Sequence, residues 1–150
     1  MADELRFDLS RITYQKMFEL IDLLSKGKIE EAYGIVSAMI VSWPYSAPIS
    51  ADSIMELSVE QGASLIQQAV AFINSEMEAP YDFSIPVFLH KWTTRRFLEF
   101  NKALQERDIP KVVALLPEVT VVKTPVLATE GIKAVKAINT AYGNVIAAKN

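Results

Sequence analysis

His90 is the only histidine of the chain, so imidazole acid–base chemistry could run only through it. A Ser-His-Asp relay also needs a serine held on a strained turn, and no Gly-x-Ser-x-Gly elbow is present. A His-based metal site needs a second histidine or a carboxylate at fixed spacing, and none stands near position 90. There is no cysteine, which removes thiolate nucleophiles, disulfides and Cys-ligated metals. His90 therefore reads as a boundary residue ahead of a helix.

Carboxylate pairs are the next chemistry to weigh. Asp3-Glu4, Glu30-Glu31 and the spaced pair Glu76 and Glu78 could run acid–base or glycosidic reactions only inside a cleft that drives their pKa values apart. Glu30 and Glu31 fall in the first turn of a helix, where the macrodipole favours negative charge. Ser25-Lys26-Gly27-Lys28 lacks the spacing and the preceding strand of a phosphate loop. It reads instead as a helix C-cap with lysines at the negative end. The expectation is a protein without catalytic, cofactor-binding or metal-ligating residues, which acts by binding other proteins.

Three aromatics are candidates for that binding. Trp43 and Tyr45 flank Pro44 where a helix ends. They either anchor a partner, as Trp and Tyr do in binding hot spots, or staple the loop to the core, with the indole N–H on a carbonyl. Trp92 lies in the basic run His90 to Arg96. That run could stack and neutralise a single-stranded nucleic acid, or Arg95 and Arg96 could simply pair with Glu99 along a helix. The formal net charge of −3 and pI near 5.2 argue against a nucleic-acid partner.

The elements carrying these residues are helical. Tyr14, Met17, Phe18, Ile21 and Leu24 form one face after a Thr13 cap, and Leu20 and Leu23 widen the stripe. Gly27 stops that helix, and Ile29, Ala32, Tyr33, Val36, Met39 and Ile40 begin the next, so the pair reads as an αα-hairpin. Pro44 and Pro48 end it. Ser53 with Glu56 and Ser58 with Gln61 have capping-box spacing. The second opens a helix to about Glu76. After Thr93, Phe97, Phe100 and Leu104 repeat the first pattern. Asp108-Ile109-Pro110 opens a further helix, which Pro117 ends or kinks. Residues 119–122 are strand-like, and a long helix closes the chain from about Glu130.

A displacement of about 80 residues superposes Thr13 on Thr93, Glu19 on Glu99, Leu24 on Leu104 and Ile29 on Ile109, which raises an internal duplication. The fold class expected is all-α: a compact domain of helical hairpins with two candidate similar halves and at most one short strand-like segment near 119–122. The whole of 1–150 reads as one domain, with a candidate subdivision into 1–78 and 87–150 joined by a Pro-containing connector at 79–86. Phe18, Ile21, Leu24, Val36, Ile66, Phe97, Leu104, Leu115, Ile138 and Tyr142 are the expected core. Hydrophobic residues make up 51% of the chain and charged ones 22%, which suits a filled core or a surface awaiting a partner. No apolar run approaches the length of a membrane span, and the acidic start excludes a secretory signal. A cytoplasmic protein without a membrane partner is expected.

Ile12-Thr13-Tyr14, Lys26-Gly27-Lys28-Ile29-Glu30-Glu31-Ala32, Val41-Ser42-Trp43-Pro44-Tyr45 and the stretch from Ser53 to Gln61 occur in an order that resembles tail assembly chaperones of long-tailed phages and prophages. The likeness covers roughly residues 8–76 and includes no catalytic signature. What it implies is a non-enzymatic helper in the host cytoplasm, outside the mature virion. Such a helper forms homo-oligomers and keeps the tape-measure protein soluble until tail-tube subunits polymerise around it. The other reading is a small helical adaptor or regulatory module with one partner groove.

Overall fold

The computed structural model describes residues 4–148. The fold is mainly helical. In chain order come β1 (Arg6–Phe7), a 3-10 turn at Leu9–Arg11, α1 (Tyr14–Ser25), α2 (Ile29–Met39), β2 (Ile40–Ser42), α3 (Ala51–Met55) and α4 (Val59–Glu78). A second 3-10 turn at Leu89–Lys91 follows, then α5 (Thr94–Gln105), α6 (Ile109–Val119) and α7 (Ala128–Ala148).

Local chemistry sets these boundaries. Thr13 Oγ1 accepts the Lys16 N–H at 3.1 Å and starts α1. Gly27, at φ 73°, lets the chain double back so that the Lys28 N–H reaches the Leu23 carbonyl at 2.9 Å. Ser58 and Gln61 close a full capping box on α4. For α3 the cap is Ser50, whose hydroxyl accepts from the Ser53 N–H, so the Ser53–Glu56 spacing was not the signal that counted.

The same backbone pattern occurs twice, displaced by the interval read from the sequence. Thr13 capping Lys16 at 3.1 Å is matched by Thr93 capping Arg96 at 3.2 Å. Asp8 N–H to Met39 carbonyl, 2.9 Å, is matched by Phe88 to Val119, 2.8 Å. Lys28 to Leu23, 2.9 Å, is matched by Asp108 to Ala103, 2.8 Å. The pairing of Phe7 with Ile40 has its counterpart in the bridge between Val87 and Thr120. Even the left-handed residue recurs, Gly27 at φ 73° and Arg107 at φ 55°, although Arg107 carries the side-chain cost that glycine avoids. Each half is thus a short strand or bridge, a 3-10 turn and a helical hairpin.

Buried side chains from both halves form one cluster, with Met17, Leu20, Met39, Leu65, Phe100, Leu116 and Ile138 among the most enclosed. Helix α1 packs on α2, α6 and α7, whereas α5 packs closely on α6. Helix α7 crosses from one half to the other. Its start is tied to the first half by Ala128 N–H on the Ile12 carbonyl, 2.8 Å, and by Tyr14 N–H on the Val126 carbonyl, 2.9 Å. Near its far end Tyr142 stacks on Phe97 with ring centres 4.0 Å apart.

Three expectations need correction. Residues 119–122 form no strand: Val119 ends α6 and Thr120 makes only the single bridge to Val87. Pro117 lies so near the C-terminus of α6 that its missing N–H costs one late bond and the helix continues past it. The two-stranded ladder is β1 with β2, antiparallel. Second, the deep side of α1 is Met17, Leu20 and Leu23, while Phe18, Ile21 and Leu24 are half-buried. Third, Tyr142 is 39% exposed, and Ile66, Phe97 and Leu104 are half-buried. Val36, Leu115 and Ile138 are buried.

Candidate partner-binding site

Trp43 is 4% exposed, and its indole N–H donates to the Ala47 carbonyl at 2.9 Å. It staples the loop after β2, with its indole N–H on a carbonyl as the second of the two readings has it, and offers a partner almost no surface, so the exposed-anchor reading of Trp43 does not hold. Tyr45 is half-buried and meets the Trp43 ring edge-on at 5.3 Å. Trp92 is also half-buried. Its indole N–H donates to Glu118 Oε1 at 2.9 Å, and Arg96 clamps the same carboxylate through Nε at 2.9 Å and Nη2 at 2.6 Å. Arg96 also donates to Glu99 at 2.8 Å. Of the basic run, Arg96 is tied to carboxylates within the chain, whereas Arg95 is exposed and makes no pair with Glu99.

The titratable groups follow the same logic. The Arg96 guanidinium, more than any other group, holds the Glu118 carboxyl below its ordinary value. Ser10 lowers Asp8 and Ser84 lowers Asp82, the latter to about 2. These acids all move down, opposite to the shift a general acid needs. Burial pushes the Tyr14 phenol up to about 12. His90 is exposed, edge-on to Phe88. Among the described residues no three His, Asp or Glu side chains gather as a metal ligand set, and no helix is long and apolar enough to cross a membrane.

Two grooves flank α1. One lies between α1 and α2, holds ≈ 560 Å³, and is lined by Ile12, Leu23, Gly34, Ile35 and Ala38, with Lys16, Glu19 and Glu31 on its rim. The other, ≈ 500 Å³, separates Phe18, Ile21, Asp22 and Ser25 of α1 from Arg107, Ile109 and Pro110 at the start of α6. Both have apolar floors and charged rims, the lining that receives an amphipathic helix.

The repeated pattern gives each groove an internal reference. In the second half the residues matching Ile12, Lys16, Glu19 and Ala38 are Trp92, Arg96, Glu99 and Glu118. Those four side chains are the hydrogen-bonded network just described, so larger groups occupy what is open in the first half. Sequence reasoning missed this site because its floor is made by small residues, Gly34 and Ala38, which carry no chemical signal of their own. Comparing the halves position by position was the signal that could have found it.

The second groove has a different counterpart. Its α1 wall corresponds to Leu98, Asn101, Lys102 and Gln105 on α5, and its α6 wall to Gly27, Ile29 and Glu30. Ile109 is 8% exposed, but Ile29 is 42% exposed and Leu98 55%. These two large apolar residues occupy the sides that match the two walls of that groove, and each is exposed. No protein-family model, curated protein or solved structure matches the chain.

Proposed function

We propose that this chain is a non-enzymatic tail assembly chaperone of a long-tailed phage or prophage. In this role it self-associates in the host cytoplasm, holds the tape-measure protein in soluble form, and gives way to tail-tube subunits without entering the virion. The resemblance in the first half motivates the client. The observation that carries the self-association is the exposed pair Leu98 and Ile29.

Within the chain, Phe18 of the first half lies across from Ile109 of the second. Applying the same relation once more sets Leu98 of one copy against Ile29 of the next. Lys102 then comes beside Glu30, a favourable pairing of opposite charges. Such a contact joins two different surfaces, so it generates a ring or an open array and not a closed two-fold dimer. A repeating assembly of grooves is a suitable surface for a long helical client.

Sedimentation velocity over a concentration series tests this, with Leu98→Asp and Ile29→Asp variants. Wild type is expected to grow with concentration and each variant to remain monomeric. Mixed one to one, the variants are expected to form a dimer, because each keeps the face the other lacks. A wild type that stays monomeric, or variants that associate as well as wild type, would refute the assembly. Co-expression with the tape-measure protein tests the client, which should become soluble only beside an intact chaperone. A monomer that ignores that client but takes one short segment in the α1–α2 groove would instead be the helical adaptor.

A further inference from the structure

We infer that the α1–α2 groove receives a partner helix which inserts an aromatic side chain between Ile12, Gly34 and Ala38 and sets a carboxylate on Lys16. The argument rests on what fills the equivalent place in the other half. There Trp92 stands where the first half has Ile12, and Glu118 where it has Ala38. The Trp92 ring lies 5.3 Å from Phe100, and Glu118 Oε1 takes both the indole N–H and the Arg96 Nε–H at 2.9 Å. An aromatic body and a carboxylate on a cation are thus what this hairpin geometry accommodates.

In the first half both are missing while their surroundings persist. Lys16 replaces Arg96, and its ammonium reaches only the neighbouring Glu19 of its own helix, at 3.1 Å with both side chains about half exposed. Isolated pairs of that kind contribute little, so Lys16 remains available to an incoming carboxylate. Gly34 faces open space, with nothing within 4 Å of an added Cβ. The groove retains ≈ 560 Å³ over Ile12, Leu23 and Ile35. A helix presents an aromatic and an acid on one face when they lie three or four positions apart, which defines the partner by chemistry.

This inference deepens the partner-holding role proposed above but needs neither the phage client nor self-association. The probe is a fluorescein-labelled amphipathic peptide of about 20 residues, long enough to hold a helix, with one tryptophan and a glutamate four positions on. Anisotropy titration against the full chain is expected to show saturable binding. Replacing the peptide's glutamate by glutamine should weaken it by about two- to fivefold, the size of a partly exposed ion pair, and replacing its tryptophan by alanine should abolish it.

On the protein, Gly34→Leu puts bulk into the groove at a position where an added Cβ meets nothing within 4 Å, and should remove binding. Ala114→Leu, at the matching position of the second half, should leave binding intact. Lys16→Glu should reverse the preference toward a peptide carrying lysine in place of the glutamate. Thermal melts by circular dichroism establish that each variant is folded. Equal binding to wild type and Gly34→Leu, or no binding by the tryptophan–glutamate helix, overturns the inference. So does a Gly34→Leu chain that loses self-association, since a second copy would then be the occupant. A wild-type chain that assembles through Leu98 and Ile29 but does not bind the peptide removes the groove and leaves the assembly standing.

Discussion

Gly131→Ala is the most informative single substitution in the fold. Alanine is favoured over glycine inside a helix by about 0.8–1.0 kcal/mol, so propensity alone predicts a stabler protein. The position forbids it. A Cβ at Gly131 would stand 2.2, 2.5 and 2.9 Å from Cδ1, Cγ and Cβ of Tyr14. The nearest approach to Tyr14 Cβ means that the whole side chain must move, not merely its tip, and Tyr14 is 3% exposed in the core. Local repacking costs about 1–3 kcal/mol, while expelling the ring approaches the about 3–5 kcal/mol of deleting a core aromatic. Less the propensity gain, Gly131→Ala should fall between neutral and about 4 kcal/mol destabilised. Urea unfolding followed at 222 nm measures this. Gly143→Ala is the control, because nothing lies within 4 Å of its added Cβ, and it should stabilise by about 1 kcal/mol. A double-mutant cycle with Tyr14→Ala should then recover most of the loss at 131. Gly131→Ala as stable as Gly143→Ala would refute the account of how α7 sits on α1.

Other perturbations test the remaining packing and charge assignments. Leu20→Ala truncates a fully buried side chain and should cost about 2–5 kcal/mol, against about 1–2 for half-buried Leu24→Ala, in the same denaturant melt. Equal losses would mean that the deep side of α1 is misassigned. Glu118→Gln leaves a hydrogen-bond acceptor for Trp92 but removes the charge from Arg96. Because Arg96 and Glu118 are 41% and 36% exposed, the loss should be only about 0.5–1 kcal/mol. With its folded pKa lowered, Glu118 contributes that stability above the ordinary carboxylate range and loses it as pH falls through the folded value. The Glu118→Gln melt should accordingly lack this acid-side component. Tyr14 acts at the other end of the scale. Below pH 10 folded and unfolded chains both keep the phenol protonated. Above it the unfolded chain ionises first, so stability should fall by about 2–3 kcal/mol as pH rises through about 12. Tyr14→Phe should abolish that slope, and a slope that persists would assign it to another group.

Much of the helical plan is readable from short-range chemistry. Thr13, Thr93, Ser58 with Gln61, and Gly27 act on backbone groups within a turn of themselves, so their effects need no knowledge of distant contacts. The repeat at an interval of about 80 residues was legible for the same reason, since matched caps and turns recur at it. The β1–β2 ladder was not, because two or three residues are too few to display an alternation. Which side of α1 faces inward was also hidden. Its stripe includes Phe18 and Ile21 as well as Leu20 and Leu23, and the choice depends on where α6 and α7 come to rest. The aromatics were visible as residues but not as environments. Trp43 and Trp92 each have the N–H partner that turns a candidate hot spot into a structural support, and those partners lie on Ala47 and Glu118. The α1–α2 groove escaped notice because it is defined by the absence of bulk.

The segment between the halves is clipped across its own length. Lys136 donates to the carbonyls of Glu76 at 2.6 Å and Ala79 at 2.5 Å, and Lys133 pairs with Asp82 at 3.2 Å. Phe83, immediately beyond Asp82, is 75% exposed and has a φ of 60°. A protease that favours aromatic residues would therefore find its bond at Phe83, while the ties just before the cut still joined that piece to Lys133 and Lys136 of α7. The severed pieces would remain one particle, held by α7 lying across the break. A nicked chain that stays together would then behave as two complementing fragments, with α7 in place of the covalent link.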